Sequence, residues 1–97
     1  MNSPFELDGR VAVVTGAGGA MGSVIAVGLA SHGADVVVAA HKNRDRIPST
    51  IEKIESFGRK AMEASCDVTS QSDVDRTVKD TLDEFGHVDV LVNVPGY

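Results

Sequence analysis

Tryptophan is absent from this chain of 97 residues, and cysteine and tyrosine occur once each. The single cysteine, Cys66, excludes an internal disulfide and fits a reducing compartment. No apolar run approaches the ~20 residues that a bilayer-spanning helix needs. Met1 to Arg10 lacks the charged-then-apolar pattern of a secretory leader, so the cytoplasm is the expected location. Basic charge is also scarce: 9 Lys and Arg stand against 14 Asp and Glu, a formal net charge of −5. That balance argues against nucleic acid and against an anionic membrane surface as partners. No His, Cys, Asp or Glu residues fall at zinc-ligand spacing, and no metal is expected. The length suits one small domain or part of a larger one.

What the chain does have is glycine at telling places and short apolar runs between them. The stretch Thr15-Gly16-Ala17-Gly18-Gly19-Ala20-Met21-Gly22 follows the apolar run Val11 to Val14 and leads into helical spacing at Ile25, Ala26, Leu29 and Ala30. Strand, glycine turn, helix is the order that aims backbone N–H groups and a positive helix end at a phosphate. Glycine suits such a turn because a β-carbon would hold the phosphate off the backbone and because tight turns often require φ > 0.

The alternation continues along the chain. His32-Gly33 reads as a helix stop, and Asp35 opens a second apolar run, Val36 to Ala40. A second helix begins near Asn43 or Asp45, either able to cap it. It carries Ile47, Ile51, Ile54 and Phe57 on one face, with Pro48 in its first turn and Gly58 at its end. A third strand is expected over Lys60 to Cys66, ending at Asp67-Val68-Thr69. Ser70 or Ser72 can cap a third helix with Val74, Val78, Leu82 and Phe85 as its apolar face, and Gly86 stops it. Val88 to Val92 is the fourth strand, before Asn93-Val94-Pro95-Gly96-Tyr97. Continuous apolar strands alternating with helices predict an α/β fold: a Rossmann-like, doubly wound parallel sheet with helices on both faces. In the order 3-2-1-4, strand four lies beside strand one with a bare outer edge. The 97 residues therefore read as the N-terminal βαβαβαβ portion of a larger domain. A small complete flavodoxin-like fold is the alternative.

These residues carry a resemblance. The chain resembles the N-terminal part of the short-chain dehydrogenase/reductase family over essentially its whole length. The family's phosphate loop runs Thr-Gly-x-x-x-Gly-x-Gly. Thr15, Gly16 and Gly22 stand in register with it, Ala20 takes the place of the middle glycine, and Met21 breaks the alternative G-x-G-x-x-G spacing. Asp67-Val68-Thr69 is similar to the family's Asp-Val-Thr segment, and Asn93-Val94-Pro95-Gly96 stands where the family has Asn-Asn-Ala-Gly. The resemblance implies an oxidoreductase that exchanges hydride between a nicotinamide cofactor and a small carbonyl or alcohol substrate, as a homo-oligomer when full length.

Candidate cofactor-binding residues follow. Gly16, Gly18, Gly19, Met21 and Gly22 are expected at the pyrophosphate. Asp67 can accept from the adenine amino group, with Val68 beside it, or it can cap the next helix. Asn93 is read first as a tie between strands and second as a ligand; Gly96 joins the list through its motif. An acidic residue at the carboxyl end of strand two would hold the ribose 2′-hydroxyl of NAD. Asp35 lies at the opposite end of that strand, and Ala40 occupies the position that matters. His41, Lys42 and Arg44 follow and can pair with a 2′-phosphate, unless they form only a solvated basic turn. NADP(H) is thus favoured, with NAD possible. The proline of Val94-Pro95 removes an N–H near the cofactor. Cys66 reads as a small core residue rather than a nucleophile.

The resemblance also implies a catalytic tyrosine with a lysine four positions later and a substrate-orienting serine. No Tyr-x-x-x-Lys occurs here, since the only tyrosine is Tyr97. No catalytic residue is assigned, and the chain alone is expected to be inactive. The competing expectation is a non-catalytic nucleotide-binding or interaction module complete near Tyr97.

Overall fold

The computed structural model describes residues 7–94. Seven elements alternate along the chain: β1 (Val11–Thr15), α1 (Ala20–Ser31), β2 (Asp35–Ala40), α2 (Ile47–Ser56), β3 (Ala61–Ser65), α3 (Gln71–Phe85) and β4 (Val90–Asn93). The strands form one sheet in the order β3-β2-β1-β4, and every pairing is parallel. This is the α/β, Rossmann-like arrangement expected from the alternating periodicities.

Strand alternation divides the core between the two faces of the sheet. Val14, Val36, Val38 and Ala40 pack with Ala26 and Ala30 of α1 and with Ile47 and Ile54 of α2. In α1 the buried residues are Gly22, Ala26 and Ala30, one small residue per turn, so the helix lies close against the strands. On the other face Val13 looks toward α3 across a cavity of about 200 Å³ that Val74, Thr77, Val78 and Leu91 also line.

Several expectations need correction. Neither Asn43 nor Asp45 caps α2. Arg46 occupies the cap position in helical geometry, and a turn from the Arg44 carbonyl to the Ile47 N–H leads into the helix. Phe57, expected on the apolar face, is exposed, because it caps the C-terminus just before Gly58 turns the chain at φ +76. In α3 the buried residues are Thr77 and Thr81, whereas Val78 is exposed and Leu82 is 45% accessible. The threonines can be buried because each hydroxyl donates to the carbonyl four residues back, those of Asp73 and Thr77. β3 is shorter than the run Lys60 to Cys66, although the Cys66 N–H still donates to the Ala40 carbonyl. β4 begins two residues later than expected. Asp89 precedes it, and its carboxylate accepts from the Val11 N–H at 2.8 Å.

Other expectations match the structure. His32 ends α1, and Gly33 follows at φ +106. Ser70, not Ser72, caps α3, accepting from the Asp73 N–H. Asp35 stands at the start of β2, where its carboxylate accepts from the Lys60 N–H. That is the end of the sheet away from the glycine loop.

Candidate functional site

The carboxyl ends of β1, β2 and β3 open onto a cavity of about 480 Å³ floored by the loop between β1 and α1. The chain leaves β1 through Gly16, at φ +70, a left-handed conformation that favours glycine. A β-carbon there would also stand 2.3 Å from the Val94 carbonyl oxygen, so the turn sits directly under the end of β4. At Gly18 a β-carbon would lie 1.3 Å from the Asn43 carbonyl oxygen, which places the β2–α2 loop hard against the glycine loop. Gly22 permits the first turn of α1 to rest on Gly16 and Ala17, whose nearest atoms lie 2.3 and 2.7 Å from its would-be β-carbon. Gly19 differs: its nearest neighbour would be 3.9 Å away. Three glycines are demanded by the protein's own packing, and the fourth lines the cavity with room to spare.

The first bond of α1 runs from the Ser23 N–H to the Gly19 carbonyl, so the N–H groups of Ala20, Met21 and Gly22 have no helical acceptor. No side chain caps this end, and no acidic residue stands in the first turn. A helix end with free N–H groups, no carboxylate in its own first turn and an adjoining cavity suits an anionic group. Ala20 opens the helix without adopting positive φ, so its methyl group is accommodated.

Of the residues expected at the cofactor, Gly16, Gly18, Gly19, Met21, Gly22, His41, Lys42, Asp67 and Val68 all line this cavity. Arg44 does not. Its guanidinium pairs with Glu63 of β3 and contacts the Ala40 carbonyl at 3.4 Å. Asn93 is turned to the smaller cavity on the α3 face, and its side-chain oxygen accepts from the Thr15 hydroxyl at 2.7 Å. It ties β4 to β1, the first of its two expected roles. Gly96 and Pro95 lie outside the described residues.

Asp67 does not cap α3. One carboxylate oxygen accepts from both the N–H and the hydroxyl of Thr69, while the other faces His41 at 3.9 Å. The Thr69 bonds hold its carboxyl below the ordinary value of 3.8, burial opposes them, and the charges of His41 and Lys42 add to the lowering. The result is an ionised acceptor at the cavity rim. Cys66 is buried between the two cavities, as a small core residue would be. Its thiol has no described ionic partner.

Two contributors escaped the sequence reading. Asn43 acts through its backbone carbonyl, which leaves no signature in residue type. Glu63 left no signal in the sequence, because an exposed carboxylate can stand in a strand without a partner, and its pairing with Arg44 is visible only in the fold.

A family model described as short chain dehydrogenase matches residues 10–97. The chain belongs to that family. Among short-chain dehydrogenase relatives, it is 37% identical over 94 residues to a hydroxynaphthalene reductase-like protein, Arp2, of Metarhizium guizhouense, covering 97% of this chain and 35% of that protein. It is 37% identical over 92 residues to the 7alpha-hydroxysteroid dehydrogenase of Escherichia coli, covering 95% of this chain and 36% of that enzyme. The structure of an NAD+-bound xylitol dehydrogenase superposes with a TM-score of 0.86 at 35% identity, over 95% of this chain and 35% of that one. A short chain dehydrogenase of Burkholderia cenocepacia in complex with NADP superposes at 0.84 with 36% identity, over 90% of this chain and 36% of that one. The chain thus spans about a third of the length of the relatives it matches. Short-chain dehydrogenases of this similarity include one bound to NAD+ and one bound to NADP, so a nicotinamide cofactor belongs with the family.

Proposed function

We propose that this chain is the cofactor-binding portion of an NADP(H)-dependent oxidoreductase acting on a small carbonyl or alcohol compound. The observation that carries the reading is the uncapped N-terminus of α1 opening, with the ends of β2 and β3, onto one cavity. There Gly16, Gly18, Gly19, Met21 and Gly22 hold the pyrophosphate, the free N–H groups at the start of α1 supplying donors. Asp67 accepts from the adenine amino group, and Val68 packs beside the ring. Asn93 serves through its tie to Thr15, and Gly96 is assigned to the cofactor through its sequence motif alone.

The ribose decides between the two cofactors. Ala40, at the end of β2, brings no carboxylate to compete with a 2′-phosphate. His41 and Lys42 line the cavity beside it, and Arg44 follows in the same loop. Phosphate contacts of this kind are charge-assisted and strong. A nicotinamide cofactor held here supplies the hydride equivalent, and the residues of this chain bind it and orient it. The acid–base groups and the substrate pocket belong to residues outside these 97, in a protein that assembles as a homo-oligomer in the cytoplasm.

Two tests follow. Reading the coding sequence past Tyr97 is expected to reveal a Tyr-x-x-x-Lys within about 100 residues, the reach of one ordinary domain. A stop codon at that point would favour the non-catalytic module. In the full-length protein, replacing both His41 and Arg44 by Ala is expected to lower the NADPH-to-NADH affinity ratio about tenfold or more. An unchanged ratio would refute the assigned 2′-phosphate site.

A further inference from the structure

Among the described residues the Arg44 guanidinium has two acceptors. One is the carboxylate of Glu63 and the other the backbone carbonyl of Ala40. Glu63 lies in β3, paired in register with Val38 of β2, two residues before the strand end that borders the cavity. The two side chains are 36% and 41% accessible, so water reaches both. Ala40 itself lines the cavity. Arg44 is therefore held at the margin of the 2′-phosphate position, by a carboxylate that would compete with that phosphate for the same planar donors.

We propose that Glu63 sets how strongly the protein discriminates NADP(H) from NAD(H), by holding Arg44 away from the ribose. The inference rests on the NADP(H) reading above. When a 2′-phosphate arrives, Arg44 exchanges the Glu63 carboxylate for phosphate oxygens. Because the pair is exposed, water screens it and fills the place Arg44 leaves, so the exchange is cheap but not free. When the ribose carries a hydroxyl, Arg44 stays with Glu63, and the hydroxyl meets only the neutral end of β2. Glu63 thus weakens NADP(H) binding and leaves NAD(H) binding untouched. Neither the glycine loop nor Asp67 shares this property, since both serve groups common to the two cofactors.

The test is a titration calorimetry cycle on the full-length protein, with NADPH, NADH and adenosine 2′,5′-bisphosphate as probes. The variants are Glu63→Gln, Arg44→Ala and the two combined. A Glu63→Thr variant, which introduces a strand-favouring residue, guards against a misfolded edge. Glu63→Gln and Glu63→Thr are expected to tighten NADPH and the bisphosphate about two- to fivefold, the worth of an exposed ion pair, with NADH unchanged. In the Arg44→Ala background the gain should vanish. A gain that persists without Arg44 would mean that Glu63 repels the phosphate directly, and would overturn the role given to the pair. No gain in either background would overturn it as well. If Arg44→Ala alone leaves the NADPH-to-NADH ratio unchanged, Arg44 does not serve the 2′-phosphate, and the underlying reading fails with the inference. If Arg44→Ala lowers the ratio while both Glu63 variants do nothing, only the inference fails.

Discussion

At Gly18 and Gly19, adjacent residues of the same type do different work. A methyl group at Gly18 would collide with the Asn43 carbonyl oxygen, 1.3 Å from the built β-carbon, whereas one at Gly19 meets nothing closer than 3.9 Å. Gly18→Ala is therefore expected to cost about 1–3 kcal/mol of stability, the usual toll of overpacking, as the β2–α2 loop is pushed aside. Gly19→Ala should change stability by less than about 0.5 kcal/mol while weakening cofactor binding, because its methyl enters the space proposed for the phosphate. Urea unfolding and cofactor titration of both variants separate the two roles; equal losses of stability would contradict them. Asp89 makes a prediction about acid. Its carboxyl is held below the ordinary value of 3.8 chiefly by the Val11 N–H, with His87 and Arg10 adding to the effect and burial opposing it. A depressed folded value means that the stabilisation is complete above 3.8 and is lost as pH falls through that lower value. Asp89→Asn should lower the urea midpoint at neutral pH and flatten its decline in acid, measured between about pH 2 and pH 7. A parallel downward shift at every pH would show that the charge is not the cause.

Elements differ in how much of them could be read from residue order. α1 and β2 were legible because their apolar runs are bounded by Gly19, Gly33 and a capping turn. The stop at Gly86 was equally plain, since it adopts φ +86 to end α3. The buried face of α3 was not. Val74, Val78, Leu82 and Phe85 form the obvious stripe, yet the helix rests on Thr77 and Thr81, whose hydroxyls find acceptors within the helix. Hydrophobic spacing cannot report that choice, because the bond that hides a threonine is internal to the helix. The same limit applies to the site. The glycine loop and Asp67 were visible as motifs, while the Asn43 carbonyl emerges only when the loops after β1 and β2 meet, and the pairing of Arg44 with Glu63 only when β2 and β3 lie side by side. α3 also has one point of control: Ser70 accepts from the Asp73 N–H, and Asp73 in turn accepts from the Asp67 N–H. Ser70→Ala should cost about 1 kcal/mol and loosen the Asp67 turn at the cavity rim. Hydrogen exchange at Asp67 and Thr69 should rise in step with the lost stability. Unchanged exchange at those amides would uncouple the cap from the site.

For the molecule as a whole, the sheet has edges at β3 and β4, and among the described residues β4 pairs only with β1. Leu91 on β4 is 64% accessible, and Val68, Val78 and Leu82 are also exposed. Apolar surface of this kind beside an open edge favours association. The 97-residue chain produced alone is expected to self-associate in sedimentation, and Leu82→Lys with Leu91→Lys should shift it toward monomer. A monodisperse unsubstituted monomer would contradict this reading of the surface.

The proposed function places a nicotinamide dinucleotide carrying a 2′-phosphate at the uncapped end of α1 and the strand ends around it. Calorimetric titration of the full-length protein with NADPH and with NADH tests it most directly. The predicted result is one saturable site per chain for each, with NADPH bound the more tightly. Tighter binding of NADH would contradict the assignment at Ala40, His41 and Arg44, and binding of neither would contradict the site itself.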